Sequence, residues 1–170
     1  MRFKLLSALS AVLLLAACSS DPDTGAEQTG GGQVATNGNQ DTSASVMPGS
    51  VQDFVVNVGD RVFFDFDKSN LTSDAIATLD KQAEWLEKYS NVAILIEGHC
   101  DERGTREYNL ALGDRRATSV RDYLVSKGIA KSRLKLISYG KERPAVLGSN
   151  EDAWAQNRRG VTTITGGAAS

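Results

Sequence analysis

Large apolar side chains are confined to two stretches of this sequence, and that distribution decides which part of the chain can fold. The first stretch is Leu5–Ala17, thirteen residues without a charge, and the second begins at Val51. Between them, residues 19–50 are mostly small or polar, and their only larger apolar residues are Val34, Val46 and Met47. Such a segment cannot bury a core. We therefore expect a disordered tether over 18–50 and one globular domain over 51–170.

The N-terminal stretch has the pattern of a secretory signal. Arg2 and Lys4 precede the apolar run Leu5–Ala17, which ends in small residues. As a helix, at about 1.5 Å per residue, the run would reach roughly 20 Å, which is short of a hydrocarbon core of about 30 Å. The sequence therefore predicts a cleaved signal peptide over 1–17 rather than a membrane span.

A cysteine follows this run directly, as Leu15-Ala16-Ala17-Cys18. The pattern is similar to the lipobox of bacterial lipoproteins, which implies that Cys18 becomes the acylated first residue. Several acyl chains anchor a protein stably to a membrane, whereas a single chain binds marginally. The next residue is Ser19 rather than the Asp that resembles an inner-membrane retention signal, so we expect the outer membrane. The alternative is an ordinary signal peptide in which Cys18 is incidental.

Charge and composition argue against two kinds of partner. The chain has 19 Lys and Arg against 21 Asp and Glu, a formal net charge of -2, with no long run of either sign. This balance argues against nucleic acid as the main partner. The sequence has one His and two widely separated Cys, whereas metal sites need clusters of such side chains. We expect neither a metal site nor another cofactor.

From Val51 onward, extended apolar stretches alternate with helical ones. The segments typical of strands are 61–66, 92–96, 134–139 and 160–165. Three segments are typical of helices. The first begins at a cap on Thr72 or Ser73, the second runs from about 105 to 127, and the third runs from a cap on Ser149 through Arg158. The order βαβαβαβ predicts a mixed sheet with helices on one face, an α/β fold of the α+β kind.

Periodicity predicts which faces are buried. One stripe of the first helix consists of Ile76, Leu79, Ala83 and Leu86. The stripe of the second helix consists of Leu110, Gly113, Ala117, Val120 and Leu124. Gly128 suits the end of that helix. The continuous apolar run over 92–96 predicts a central strand covered on both faces.

The densest polar segment, Glu97–Thr105, lies where that strand ends and the second helix begins. Strand ends and helix amino termini are common ligand sites, although a loop of solvated charges would have the same composition. Asn109 and Arg116 are two helical turns apart on a face that flanks the buried stripe. Leu112 lies one turn before Arg116 on the same side.

Asp101, Arg116 and the apolar Leu112 between them would suit a zwitterion. The guanidinium would take a carboxylate and the aspartate an ammonium. We expect the two charges to stay unsatisfied until such a ligand enters. The alternative is a partly exposed salt bridge between Asp101 and Arg116, worth about 0–1 kcal/mol.

Three blocks of sequence now carry a resemblance to a known family: Val62–Asp67, Gly98–Leu110 with Arg116-Ala117, and Asn157–Arg159. They resemble the peptidoglycan-associated lipoproteins of the Tol–Pal system, a branch of the OmpA-C-like family. The resemblance spans about 53–165. It implies an OmpA-C-like domain that binds peptidoglycan non-covalently through the meso-diaminopimelate of the stem peptide.

The resemblance also implies roles for particular residues. Asp101 would contact the ammonium of diaminopimelate and Arg116 its carboxylate, and the pocket lining would include Phe66, Asp67, Asn109 and Leu112. Partners would be TolB and other Tol proteins, in a lipoprotein that links the outer membrane to the cell wall from its periplasmic face and supports constriction at division. Gly113 departs from a serine frequent in the family, so one hydroxyl contact would be lost. Arg158 is expected to order the sheet edge.

Three other functions remain possible at this point. A lipoprotein scaffold could act mainly through protein–protein contacts. A glycan hydrolase could use two of the carboxylates Asp65, Asp67, Asp101 and Glu102, about 5–10 Å apart. A thiolate of Cys100 beside His99 could be a nucleophile, but neighbouring residues of a strand point to opposite faces. We expect a buried, unreactive Cys100, a locally hydrogen-bonded His99 and no catalytic step.

Overall fold

The computed structural model describes residues 46–170. The predicted signal peptide, the lipidation site Cys18 and the tether up to residue 45 lie outside the described residues. Ser50, assigned to the tether by its composition, is bonded to the domain: its side chain caps the first helix, and it forms an isolated parallel bridge with Ala169. Within this part of the chain, no helix has both the length and the apolar character that a membrane span requires.

The helices and strands follow the predicted order after one additional short helix. The helices are α1 Val51–Asp53, which continues as the π-helical turn Phe54–Val58, α2 Ser73–Lys88, α3 Arg106–Ser126 and α4 Glu151–Asn157. The strands are β1 Arg61–Phe63, β2 Ala93–His99, β3 Leu134–Gly140 and β4 Arg159–Gly166. The fold is α+β, as predicted.

The sheet is mixed, in the order β1-β4-β2-β3. β2 is parallel to β3 and antiparallel to β4, and β1 is antiparallel to β4. This order makes β2 a central strand, as the sequence predicted. The end of β2 is therefore buried between two neighbouring strands, and the chain returns to the surface at residues 105–108, where α3 begins.

The expectation that β2 is covered on both faces was wrong. Ile94 and Ile96 are fully buried in the core with Leu79 of α2 and Leu124 of α3, whereas Leu95 between them is only half-buried. Alternate residues of a strand point to opposite faces, and the helices cover only one of them. A continuous apolar run therefore did not distinguish a two-sided from a one-sided strand here.

Two details of the helix predictions also needed correction. Ile76 is 37% exposed, and α2 is buried through Ala75, Gln82 and Trp85 beside the predicted residues. The side chain of Gln82 donates to the Gly59 carbonyl at 2.7 Å, which explains how an amide replaces an apolar residue on this face. α4 is capped by Asn150 rather than Ser149, since Asn150 accepts a hydrogen bond from the Ala153 amide at 2.9 Å.

The contact between β2 and α3 depends on two glycines. A Cβ atom on Gly98 would overlap the carbonyl oxygen of Gly113, and one on Gly113 would overlap the hydroxyl of Ser138 and lie 2.8 Å from the Gly98 oxygen. Close approach of helix and strand requires glycine at both positions. The small residue at Gly113 is therefore a packing requirement of this domain, and a serine there would need its surroundings to shift.

Candidate functional site

A pocket of about 160 Å³ opens where β2 ends and α3 begins. Its lining includes all six residues predicted to bind a ligand: Phe66, Asp67, Asp101, Asn109, Leu112 and Arg116. The lining also includes four residues for which no ligand contact was predicted: Cys100, Arg103, Gly104 and Tyr108. The volume is below the roughly 300–1,000 Å³ of sites for drug-sized ligands. The pocket therefore suits the end of one side chain rather than a run of sugar rings.

Arg116 is the fully buried cation of the pocket, at 0% exposure. Its guanidinium donates to the carbonyls of Lys68 at 2.9 Å, His99 at 2.8 Å and Asp65 at 3.1 Å. Burial lowers the pKa of Arg116, but a guanidinium titrates so far above neutral pH that it stays charged. Among residues 46–170, no carboxylate forms an ion pair with it. The pocket therefore contains a cation without a neutralising partner.

Asp101 is the buried anion of the pocket and is only 4% exposed, whereas the carboxylate of Asp67 lies at the surface. Its Oδ1 accepts from the backbone N–H and the Nε of Arg103 at 3.1 and 3.2 Å. Its Oδ2 accepts from Arg103 Nη2 at 2.6 Å and from Arg158 Nη1 at 3.5 Å. Burial alone would raise the pKa of Asp101, but the hydrogen bonds and charge of Arg103, with those of Arg158, hold it below its usual value. Asp101 is therefore ionised.

The alternative of a salt bridge between Asp101 and Arg116 was wrong, because each has other partners and both line one pocket. The expectation that both charges stay unsatisfied was also wrong. Asp101 is neutralised by Arg103, which lies two residues further along the loop, and by Arg158 from the sheet edge. Helical spacing predicted which way the Arg116 side chain points. It could not predict that Arg103, which lies in a loop, folds back to pair with Asp101.

Arg103 closes one side of the pocket. Its guanidinium lies between the rings of Phe66 and Trp154, 4.0 Å from the centre of each. Cation–π stacking on two rings stabilises this position, and the hydrogen bonds to Asp101 raise the pKa of Arg103. The signal that could have found it is local, since a basic side chain two residues after an acidic one in a loop can reach its carboxylate.

The turn that carries Phe66 and Asp67 is held from α3. Asp67 has a left-handed backbone, with φ 57, which Asp tolerates better than most residues. The hydroxyl of Tyr108 donates to the Asp67 carboxylate, and this bond raises the pKa of Tyr108. Because Arg116 bonds the carbonyls of Asp65 and Lys68 on either side, the turn is fixed at three points.

Asn109 and Leu112 form the inner wall. Asn109 is buried, and its Nδ2 donates to the carbonyls of Arg103 at 2.8 Å and Thr105 at 3.0 Å, so that it fixes the loop between β2 and α3. Leu112 is buried and presents an apolar surface to the pocket. The helical spacing predicted that this face of α3 flanks the core, whereas Asn109 and Leu112 are themselves buried.

Arg158 lies behind Asp101, outside the pocket lining. Its Nε donates to the Phe64 carbonyl at 3.1 Å and its Nη2 to Glu151 at 2.6 Å. It therefore links the end of β1 to the start of α4, which is the ordering of the sheet edge that the sequence predicted, and supports Asp101 from behind.

His99 and Cys100 do not form a nucleophilic pair. Cys100 is buried and its Sγ donates to the Asn109 carbonyl at 3.4 Å, while burial raises the pKa of the thiol. His99 contacts Glu97 at 3.3 Å and packs beside Tyr139, 5.4 Å between ring centres. Burial and, to a smaller degree, the charge of Arg159 lower the pKa of His99. The thiol is neutral and its neighbour is bonded elsewhere.

Comparison with known proteins places this chain in a family. The OmpA family matches residues 63–158. A peptidoglycan-associated lipoprotein of Mesorhizobium japonicum is 53% identical over 161 residues, which cover 94% of this chain and 90% of the relative. The crystal structure of the peptidoglycan-associated lipoprotein from Burkholderia pseudomallei is 42% identical with a TM-score of 0.61, over 62% of this chain and 90% of that one.

A more distant neighbour shares the fold alone. The C-terminal domain of Helicobacter pylori MotB is 20% identical, with a TM-score of 0.59, over 63% of this chain and 84% of that one. The motif blocks, the α+β topology and the similarity along almost the whole length of the lipoprotein relatives lead to one conclusion. The chain belongs to the OmpA family, within its branch of peptidoglycan-associated lipoproteins.

Proposed function

We propose that the domain binds peptidoglycan non-covalently by enclosing the zwitterionic end of a meso-diaminopimelate side chain. Arg116 would bind its carboxylate and Asp101 its ammonium. The observation that carries the proposal is that Asp101 and Arg116 line one small pocket without pairing with each other. The relatives named as peptidoglycan-associated lipoproteins support peptidoglycan as the partner.

The walls of the pocket match the rest of this ligand. Buried Leu112 and the ring of Phe66 offer apolar surface for the methylene groups between the two ends of diaminopimelate. Arg116 is held by three carbonyls, so a carboxylate meets a donor that is already oriented and loses little side-chain entropy on binding. Phe66, Asp67 and Asn109 complete the lining as ligand contacts or as supports of them.

Around this site we propose the envelope role that the family implies. Cys18 would carry the lipid in the outer membrane, the chain between Cys18 and the domain would span part of the distance to the wall, and the domain would hold peptidoglycan on the periplasmic side. TolB and other Tol proteins would be its partners during constriction at division. The chain would bind without turnover, because the thiol is neutral and buried and the pocket is small for a glycan.

Ligand variants test the proposal with the protein unchanged. The full chain is incubated with insoluble peptidoglycan and sedimented, in competition with a soluble stem tripeptide that ends in diaminopimelate. Amidation of the carboxylate assigned to Arg116 should weaken competition by roughly tenfold or more, as expected for losing a charge-assisted bond. Equal competition by the amidated peptide would refute the pairing. Release of soluble wall fragments would instead indicate a hydrolase.

A further inference from the structure

Asp101 leaves no room for another cation as it stands. Its two oxygens already accept four hydrogen bonds, three from Arg103 and one from Arg158. An ammonium can approach this carboxylate only if one of these donors leaves. The site proposed above therefore contains a competitor, and the structure indicates which donor it is.

Arg158 is held too firmly to leave. Its side chain is 8% exposed and bonds the Phe64 carbonyl and Glu151 in addition to Asp101. The side chain of Arg103 is 31% exposed, and its two side-chain bonds are both to Asp101. The Arg103 guanidinium is therefore the mobile partner, while its backbone N–H can remain in place.

A second acceptor lies within reach of Arg103. Glu151 Oε2 is 4.0 Å from Arg103 Nη1, and the Glu151 side chain is 64% exposed. The rings of Phe66 and Trp154 each have their centre 4.0 Å from the guanidinium, and this stacking does not require that the guanidinium bond Asp101. A short movement toward Glu151 would exchange one carboxylate for another.

We propose that Arg103 limits the affinity of the pocket: its guanidinium holds the cation position on Asp101 and moves toward Glu151 when a ligand ammonium takes that position. This inference rests on the proposed function, because it concerns the same ligand in the same site. Binding then exchanges one ion pair of Asp101 for another. The affinity should be limited by the competitor, and its salt dependence should come from the new Arg116–carboxylate pair alone, since the number of ion pairs on Asp101 does not change.

The experiment measures the affinity of the full chain for the diaminopimelate stem tripeptide by isothermal titration calorimetry at two salt concentrations. Arg103→Gln should bind about three- to tenfold more tightly at low salt, because the peptide no longer displaces an internal ion pair. Its affinity should also fall more steeply with salt. Arg103→Lys keeps the positive charge but loses the planar guanidinium that stacks on the rings, so its affinity should lie between those of wild type and Arg103→Gln. Arg121→Gln removes a half-buried arginine that pairs with Asp122 on α3, outside the pocket lining, and as the matched control it should bind as wild type does.

The outcomes separate the inference from the proposed function. If wild type binds the tripeptide but Arg103→Gln and Arg103→Lys, with wild-type thermal unfolding, bind it equally or more weakly, Arg103 is a ligand contact or a bystander and the inference is overturned. If wild type does not bind the tripeptide at all, the proposed function fails and the inference fails with it. Tighter binding by Arg103→Gln together with a steeper salt dependence supports both.

Discussion

Replacing Arg116 with methionine tests whether the cation of the pocket also holds the fold together. The variant keeps a long, flexible side chain but leaves the carbonyls of Lys68, His99 and Asp65 without their donors. A buried polar group without a partner costs about 1–3 kcal/mol. The bond to His99 is buried, whereas the other two are partly open to water, which can replace the lost donor.

One full penalty and two partial ones, reduced because a buried charge is also removed, give a loss of about 2–3 kcal/mol in the free energy of unfolding. Guanidinium denaturation followed by tryptophan fluorescence measures it, since Trp85 lies in the core. Arg115→Met, at the exposed neighbouring position, is the control and should change stability by less than about 0.5 kcal/mol. Equal stability of Arg116→Met and Arg115→Met would show that the three carbonyls do not depend on Arg116.

Two further predictions concern packing and pH. Gly113→Ala should destabilise the domain by about 1–3 kcal/mol through the contacts with Ser138 and Gly98, and Ser138→Ala should restore part of that loss in the double variant, as measured by denaturation. Without such recovery, the crowding would lie elsewhere. The pKa of Asp101 lies below its usual value, because the hydrogen bonds and charge of Arg103 outweigh the effect of burial. The ionised Asp101 therefore stabilises the folded state fully above the unfolded pKa of about 3.9, and this stabilisation is lost as pH falls through the folded pKa. Wild type should therefore lose more stability than Asp101→Asn between about pH 4 and pH 2, and parallel melting curves over that range would contradict this.

The sequence predicted the fold well because its elements have strong local signals. Thr72 caps α2 and Gly128 follows α3 with φ 95, so both ends lie where capping residues indicate them. The short α1 was missed, since it is stabilised by distant contacts such as Phe54 against Trp85, 4.9 Å between ring centres. Local patterns do not report contacts of that kind.

The site was predictable in its residues and less so in its bonding. Helical spacing and family motifs predicted six side chains for one site, and all six line the same pocket. Their roles in ligand binding remain predictions. Neither approach revealed that Arg116 bonds three carbonyls or that Arg103 neutralises Asp101. These bonds depend on how the 65–68 turn and the loop after β2 fold back, and that geometry is set by tertiary packing.

The contact between Gly98 and Gly113 has a consequence for ligand choice. Gly98 lies three residues before Asp101, and Gly113 lies three residues before Arg116, so this backbone contact limits how far apart the backbones that carry the two charged groups can move. With no side chain between strand and helix, neither can shift to suit a longer or shorter molecule without breaking that contact. If the proposed zwitterion binds here, a homologue with one methylene group more or fewer between its ammonium and carboxylate should bind more weakly, by about 1–3 kcal/mol.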